Sequence, residues 1–286
     1  MANLKEIRNR IASIGSTMKI TKAMKMVSAA KLKKAQDAIT AMRPYANKLT
    51  ELLQNLSATL DGNDGGIYTE QREVNNVLIV AITSNRGLCG GFNSSVIKEV
   101  RNIIETEYKN KKVSLLTIGK KGDDILSKEY TILENNNAVY DDLTFENVSK
   151  IAGFLMDQFE DDNFDRIEFV YNGFKNAATQ ILTKEQFLPI LPPENKNSAN
   201  TDYIFEPSKQ KIVAGLIPKS LKTQLFKAIR DSFAAEHGAR MTAMHKATDN
   251  ATELRDDLLL IYNKARQAAI TNEILEIVGG AEALKN

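Results

Sequence analysis

Two stretches at opposite ends of this chain carry the same helical repeat, and that repeat limits the possible folds more than any other feature. Leu4, Ile7, Ile11, Ile14 and Met18 step by 3 and 4 residues, which is the seam of a coiled coil. The phase resumes at Leu32, Ala35, Ile39, Met42, Ala46, Leu49, Leu53, Leu56 and Leu60. Near the other end, Met244, Ala247, Ala251, Leu254, Leu258, Ile261, Ala265 and Ala268 give a matching seam. Helical periodicity covers Leu4 to Leu60 and about Lys219 to Gly279. At about 1.5 Å per residue each helix would be roughly 80 to 90 Å long, more than a compact domain requires. Small seam residues permit close approach, and two such helices separated by a folded insert pair most simply antiparallel. Pro44 should bend the first helix near Arg43 rather than stop it, because the heptad phase continues beyond it.

Between its two runs the N-terminal seam falls on Thr21, Lys25 and Ser28, while Ile20, Ala23, Met24, Met26, Val27, Ala29 and Ala30 spread around the helix. A helix that is apolar on several sides is normally surrounded by protein, here a partner from elsewhere. Residues 1–48 also carry eleven Lys and Arg against only Glu6 and Asp37. A basic run is often just a solvated face, but combined with the all-round apolar stretch it fits an acidic protein collar. Nucleic acid fits poorly, since Tyr45 is the sole aromatic of that run and stacking needs more.

Composition closes off other classes. With 286 residues, 43% hydrophobic and 26% charged, and a net charge of +2, the chain is neither disordered nor a strongly basic nucleic-acid binder. No apolar run approaches the ~20 residues of a membrane span, and Met1 to Arg10 is too charged to open a secretory signal. The helical pattern begins at Leu4, which leaves no room for a transit peptide and favours a bacterial cytoplasmic location. Cys89 is the only cysteine, so no internal disulfide or dithiol switch can form.

The centre of the chain has a different period. Asp61-Gly62-Asn63-Asp64-Gly65-Gly66 is a run of breakers that ends the first helix. Val77 to Ile82 is a continuous apolar run of strand length, suited to a buried parallel strand. Val113 to Ile118 and Ile167 to Tyr171 read as further strands, with Thr179 to Pro189 as an edge strand. Helical stretches fall near Ser94 to Tyr108, Asp123 to Ser127 and Asn147 to Phe159. The alternation predicts an α/β domain. The expected division is a shaft helix over 1–60, the α/β domain over 61–210 and a second shaft helix over 211–286.

Catalytic candidates in that domain are poor. The loop Ser84-Asn85-Arg86-Gly87-Leu88-Cys89-Gly90-Gly91-Phe92-Asn93 follows the first strand, where a nucleotide loop would sit, but lacks the Gly-Lys-Ser/Thr ending and the dinucleotide spacing. A structural turn is the favoured reading. Cys89 as nucleophile would need a base, and the two histidines, His237 and His245, fall on the C-terminal helix, where exposed or partner-facing positions are expected. The carboxylate pairs Asp123-Asp124, Asp141-Asp142 and Asp161-Asp162 suit capping and solvation without metal. No cofactor is expected.

Four separated segments then carry a resemblance. Ile270 to Ala281, ITNEILEIVGGA, preceded by Tyr262-Asn263-Lys264-Ala265-Arg266-Gln267, is similar to the signature of F-type ATP synthase gamma subunits. Lys19-Ile20-Thr21-Lys22-Ala23-Met24-Lys25-Met26-Val27, Arg86 to Asn93, and Arg240 to Met244 with Ala247 to Ala251 resemble the same family in the same order. The resemblance spans the whole chain. It implies a long antiparallel coiled coil of N- and C-terminal helices with an inserted Rossmann-like α/β domain. It also implies a central rotor shaft inside a ring of alpha and beta subunits, coupling ion flow through a membrane c ring to ATP synthesis or hydrolysis without itself making or breaking phosphate bonds. The implied location is peripheral, on the cytoplasmic face of the bacterial inner membrane.

Residue by residue, the resemblance implies that Arg266, Gln267 and Thr271 meet a beta-subunit catch loop, with Arg240, Glu273 and Glu276 in the neighbouring coupling region. Met24 and Lys25 match the segment that faces an acidic beta-subunit lever, and Lys25 stands where some members carry an acid. Tyr203, Phe205 and Glu206 resemble the foot that seats on the c ring and the epsilon subunit. Chloroplast members carry a regulatory cysteine pair, which a chain with Cys89 alone cannot form. Two other classes stay open: an α/β enzyme binding a nucleotide or metabolite near Arg86 to Asn93, with a coiled-coil arm, and a structural coiled-coil adaptor. Neither accounts for the C-terminal signature.

Overall fold

The computed structural model describes residues 4–58, 67–191 and 209–283. The chain opens with helix α1 (Leu4–Ala58) and closes with helix α5 (Lys209–Ala283). Between them lie β1 (Asn76–Ile82), α2 (Phe92–Thr106), β2 (Lys112–Ile118), α3 (Lys120–Leu126), β3 (Ile132–Asn135), α4 (Phe145–Glu160), β4 (Arg166–Phe174) and β5 (Gln180–Leu188). The breaker run 61–66 and the foot residues Tyr203, Phe205 and Glu206 lie outside the described residues. Two compact units result: Met1–Ser28 with Met241–Asn286, and Ala29–Arg240.

Both terminal helices run through a proline. Helix α1 continues past Pro44, as its heptad phase required. Helix α5 starts at Lys209 rather than near Lys219 and holds Pro218 in its interior. Ile217, Leu221 and Leu225 join the main core, and that burial outweighs the backbone hydrogen bond a proline removes.

In the first unit the two helices run antiparallel. Arg8 Nη2 donates to the Tyr262 hydroxyl at 2.8 Å, and the hydroxyls of Thr21 and Thr248 lie 2.7 Å apart, so the numbering rises on one helix as it falls on the other. On α1 the predicted seam holds: Ile7, Thr21 and Ser28 are buried and Leu4, Ile11, Ile14 and Met18 are half-buried. On α5 three of the eight predicted seam positions are corrected. Met244, Ala247, Ala251, Leu258 and Ala265 are buried or half-buried, but Leu254 and Ile261 are 51% and 49% exposed and Ala268 is exposed as well. The places of Leu254 and Ile261 are taken by Arg255 and Tyr262, and Thr248 shares the seam with Ala247; all four of Ala247, Thr248, Arg255 and Tyr262 are half-buried. Long amphipathic side chains cover apolar surface with their stems and leave their polar ends in water; Arg8 also lies over the Tyr262 ring, 5.7 Å from its centre.

The second unit is built on a five-stranded sheet in the order β3-β2-β1-β4-β5, parallel except for the β4–β5 pair. Strand β1 is central, and its run Val77 to Ile82 is fully buried because both faces are covered. Leu78, Val80 and Ile82 point to a core shared with α4 (Ile151, Leu155, Phe159) and α5 (Leu221, Leu225, Ile229). Val77, Ile79 and Ala81 point to a core shared with α2 (Val96, Val100, Ile103) and Leu126 of α3. Period-two alternation therefore feeds two cores from one strand. At the turn after β2, Gly119 has φ 104, and a Cβ there would come within 2.2 Å of the Thr83 carbonyl oxygen, so no other residue type fits this close approach.

Candidate coupling surfaces

The first unit leaves much apolar surface uncovered. On α1, Ile20, Met26 and Val27 are more than half exposed, while Met24 and Lys25 are half-buried. On α5, every described position from Arg266 to Glu282 is exposed. That segment carries Ile270, Ile274, Ile277 and Val278 at i, i+4, i+7 and i+8, with Leu275 beside them. A helix of this pattern would ordinarily bury the stripe against protein. The structure gathers the sequence-predicted residues Arg266, Gln267, Thr271, Glu273 and Glu276 on this one segment, where Thr271 Oγ1 donates to the Gln267 carbonyl at 2.9 Å. The apolar stripe itself is not among the predicted site residues, although its spacing in the sequence is the signal that reveals it.

Arg240 belongs to neither exposed surface. It is 7% exposed, and its guanidinium is held inside the second unit. Nη1 donates to Glu236 Oε1 at 2.6 Å and Nη2 to the Arg86 carbonyl at 2.8 Å, while Nε and Nη2 both reach the Gly87 carbonyl at 3.3 Å. His237, expected exposed or partner-facing, is corrected: it is 5% exposed. Its ring stands edge-on to Phe233 at 4.5 Å, its Nδ1 lies 3.4 Å from Arg240 Nη1, and its Nε2 is buried without a partner. Burial, then the charges of Arg240 and Lys31, push the imidazole pKa down to about 3. Burial raises the Glu236 carboxyl, and Arg240 pulls it back. His245, by contrast, is exposed and pairs with Asp249 at 3.1 Å.

The Ser84 to Asn93 loop is a structural turn. The Ser84 backbone N–H donates to Asn93 Oδ1 at 2.9 Å, Asn93 Nδ2 donates to Ser84 Oγ at 2.9 Å, and Ser84 Oγ donates to the Arg86 carbonyl at 2.7 Å. Leu88 and Gly90 take φ 61 and 60, which carries the chain through a left-handed bend. Cys89 between them is buried and packs on Phe92, Ala235 and Ala239; burial raises its thiol pKa, the opposite of what a nucleophile needs.

A sheet of this order has its crevice at the carboxyl ends of β1 and β4, where strand order reverses. Here protein fills it. Asn172 Nδ2 at the end of β4 donates to the Phe92 carbonyl at 2.7 Å, and Ala235 and Ala239 of α5 pack there against Phe92 and Phe174. A Cβ on Gly238 would stand 3.2 Å from Ala177, so the helix approaches as closely as a glycine allows. The nucleotide-enzyme reading thereby loses its natural site. In the aspartate pairs, Asp123 accepts from Thr117 Oγ1 at 3.1 Å, Asp124 from Lys121 at 2.9 Å and Asp142 Oδ2 from Asn147 at 3.2 Å, and Asp162 pairs with Arg72 at 2.5 Å. Among the described residues no group of three or more His, Cys, Asp or Glu is placed to hold a metal.

Paired helices that expose apolar stripes, with an α/β domain whose ligand crevice is filled by its own helix, define a protein that acts through partners. The model of the family described as ATP synthase matches residues 3–284. The ATP synthase gamma chain of Flavobacterium psychrophilum is 71% identical over 286 residues, covering 100% of both chains. That of Geobacter sp. (strain M21) is 44% identical over 287 residues, again with 100% of both covered. Among solved structures, a chain of the central stalk and c ring of Tetrahymena thermophila mitochondrial ATP synthase is similar at TM-score 0.61 and 25% identity, covering 80% of this chain and 99% of that one. A rotor chain of the Euglena gracilis mitochondrial enzyme shares the fold at TM-score 0.68 and 22% identity, over 93% of this chain and 98% of that one. The chain belongs to the ATP synthase gamma chain family.

Proposed function

We infer that this chain is the central-stalk rotor subunit of an F-type ATP synthase, transmitting rotation between a membrane c ring and the catalytic ring of alpha and beta subunits. The observation that carries the reading is the exposed apolar stripe of Ile270, Ile274 and Ile277 on a helix end with no cover from its own chain among the described residues, in a chain that matches the family from end to end. Rotation of a shaft with unequal faces presents different surfaces to successive catalytic sites, so mechanical and chemical cycles become linked. The chain makes no phosphate bond itself; the filled crevice at the carboxyl edge of its sheet supports that role.

Arg266, Gln267, Thr271, Glu273 and Glu276 are proposed to meet the beta subunits, and their common exposure on α5 supports this. Met24 and Lys25, within the basic first helix, are proposed to run past an acidic beta-subunit lever, where many weak attractions give sliding contact rather than one fixed bond. Arg240 is proposed to serve the same coupling region from inside the fold. Tyr203, Phe205 and Glu206 are proposed as the foot on the c ring and epsilon subunit. No helix among the described residues is long and apolar enough to cross a membrane, which is consistent with peripheral attachment at the cytoplasmic face of a bacterial inner membrane.

The test is ATP hydrolysis by purified alpha and beta subunits mixed with this chain, compared with a truncation ending before Ile261. Sustained multi-site turnover and a co-purifying ring only with the full chain are expected, with coupling lost on truncation. No association with the ring, or turnover by the chain alone, would overturn the reading.

A further inference from the structure

Helix α5 meets the 84–93 loop through Arg240 and its neighbours, and the geometry there is that of a clamp. The guanidinium reaches two successive carbonyls, those of Arg86 and Gly87, while Glu236 one turn earlier on the same helix fixes its other edge. A planar fork can serve three acceptors at once; an ammonium group cannot match that geometry. The held turn then bends through Leu88, a bulky residue at φ 61, and such a backbone persists only where its surroundings over-determine it. Asn85 secures the loop to the α/β domain, donating through Nδ2 to the Asn137 carbonyl at 2.9 Å and accepting from the Lys120 N–H at 3.0 Å, while among the described residues the polar link from the loop to α5 runs through Arg240. Arg86 and Leu88 both face outward, Leu88 with 64% exposure.

We propose that Arg240 is a positioning residue: buried within its own unit, it locks the 84–93 loop to α5 so that Arg86 and Leu88 move with the helix when it turns. This rests on the rotor reading for its purpose, though not for its geometry. Its donors reach the Gly87 carbonyl and share the Arg86 carbonyl with Ser84 Oγ, and its charge compensates the buried carboxylate of Glu236. The lock would therefore act by removing slack between α5 and the loop it carries.

Cys89, buried in the same loop and the only thiol in the chain, is a built-in reporter. Its reaction with dithionitrobenzoate, followed by absorbance, reads release of the loop. In the full chain, Arg240→Met is expected to raise the labelling rate at least tenfold, and Arg240→Lys several-fold with an unchanged unfolding midpoint. If Arg240→Met does not fold, the lysine variant alone decides. In the assembled enzyme, the variant that labels faster is expected to bind the ring normally and to lose several-fold in coupled turnover. Labelling at the wild-type rate in the folded variants, or faster labelling with unaltered coupled turnover, would overturn the proposal. A wild-type chain that fails to stimulate the alpha and beta subunits would instead sink the rotor reading and leave the labelling result standing.

Discussion

The hydroxyls of Thr21 and Thr248 meet 2.7 Å apart in the seam between the two terminal helices. Each also lies within reach of a carbonyl of its own helix, Met18 at 3.1 Å and Met244 at 2.8 Å. One hydroxyl can therefore donate across the seam while the other donates to its own backbone. A polar pair within the seam favours one register, because sliding one helix past the other breaks the contact between the two hydroxyls. Thr21→Val and Thr248→Val should each lower stability by about 1 kcal/mol, and the double variant by less than the sum. A double-mutant cycle in chemical denaturation measures this; strict additivity would show that the contact contributes nothing.

Two glycines should respond in opposite directions. Gly119→Ala places a Cβ 2.2 Å from the Thr83 carbonyl oxygen at a φ of 104, and the loss should be about 3 kcal/mol or more. Gly153, inside α4, has nothing within 4 Å of the point a Cβ would occupy, so Gly153→Ala should gain about 0.5 to 1 kcal/mol from helix propensity. Thermal unfolding of the two variants beside the wild type checks the pair.

His237 should make the fold sensitive to mild acid. Its folded pKa of about 3 lies below its ordinary unfolded value of about 6.5. The unfolded chain thus binds the proton first, and stability present above about pH 6.5 is lost progressively as pH falls toward 3. Between about pH 6.5 and 5 the loss from this group should be about 2 kcal/mol. Glu236 opposes it, since a carboxyl raised by burial is relieved by protonation. His237→Gln should flatten the acid limb of a stability-versus-pH curve; an unchanged limb would rule out His237 as its source.

The stripe at the end of α5 should matter to assembly and not to folding. Ile270, Ile274 and Ile277 are exposed, so an aspartate at each should shift the stability of the isolated chain by no more than about 0.5 kcal/mol. The same variants should sharply reduce coupled ATP hydrolysis with the alpha and beta subunits. Circular dichroism melts and turnover measured side by side separate the two effects.

Much of this organisation is legible in the residues. The 3 and 4 spacing of Ile7, Ile11, Ile14 and Met18 marks one helix of the pair, and the apolar run Val77 to Ile82 marks the central strand. The opposite half-seam departs from its pattern at Leu254 and Ile261, because apolar spacing takes no account of Arg255 and Tyr262, whose stems are buried instead. Strand β3 carries no comparable signal: Ile132–Asn135 is four residues long and lies at the sheet edge, with Leu133 exposed. No local pattern separates His237 from His245, eight positions later on the same helix. Only the packing of Phe233 and the reach of Arg240 toward a loop more than 150 residues away in sequence make one buried and the other free to meet water.

Helix α5 fills the carboxyl edge of the sheet from within the same molecule, and this has a consequence for regulation. A tethered occupant acts at an effective concentration on the order of millimolar, or higher when the connection is stiff. A soluble nucleotide competing for that edge would have to displace Ala235, Gly238 and Ala239 together with the helix that carries them. The domain thus keeps the frame of a ligand-binding fold with that edge already occupied by a helix of the same chain.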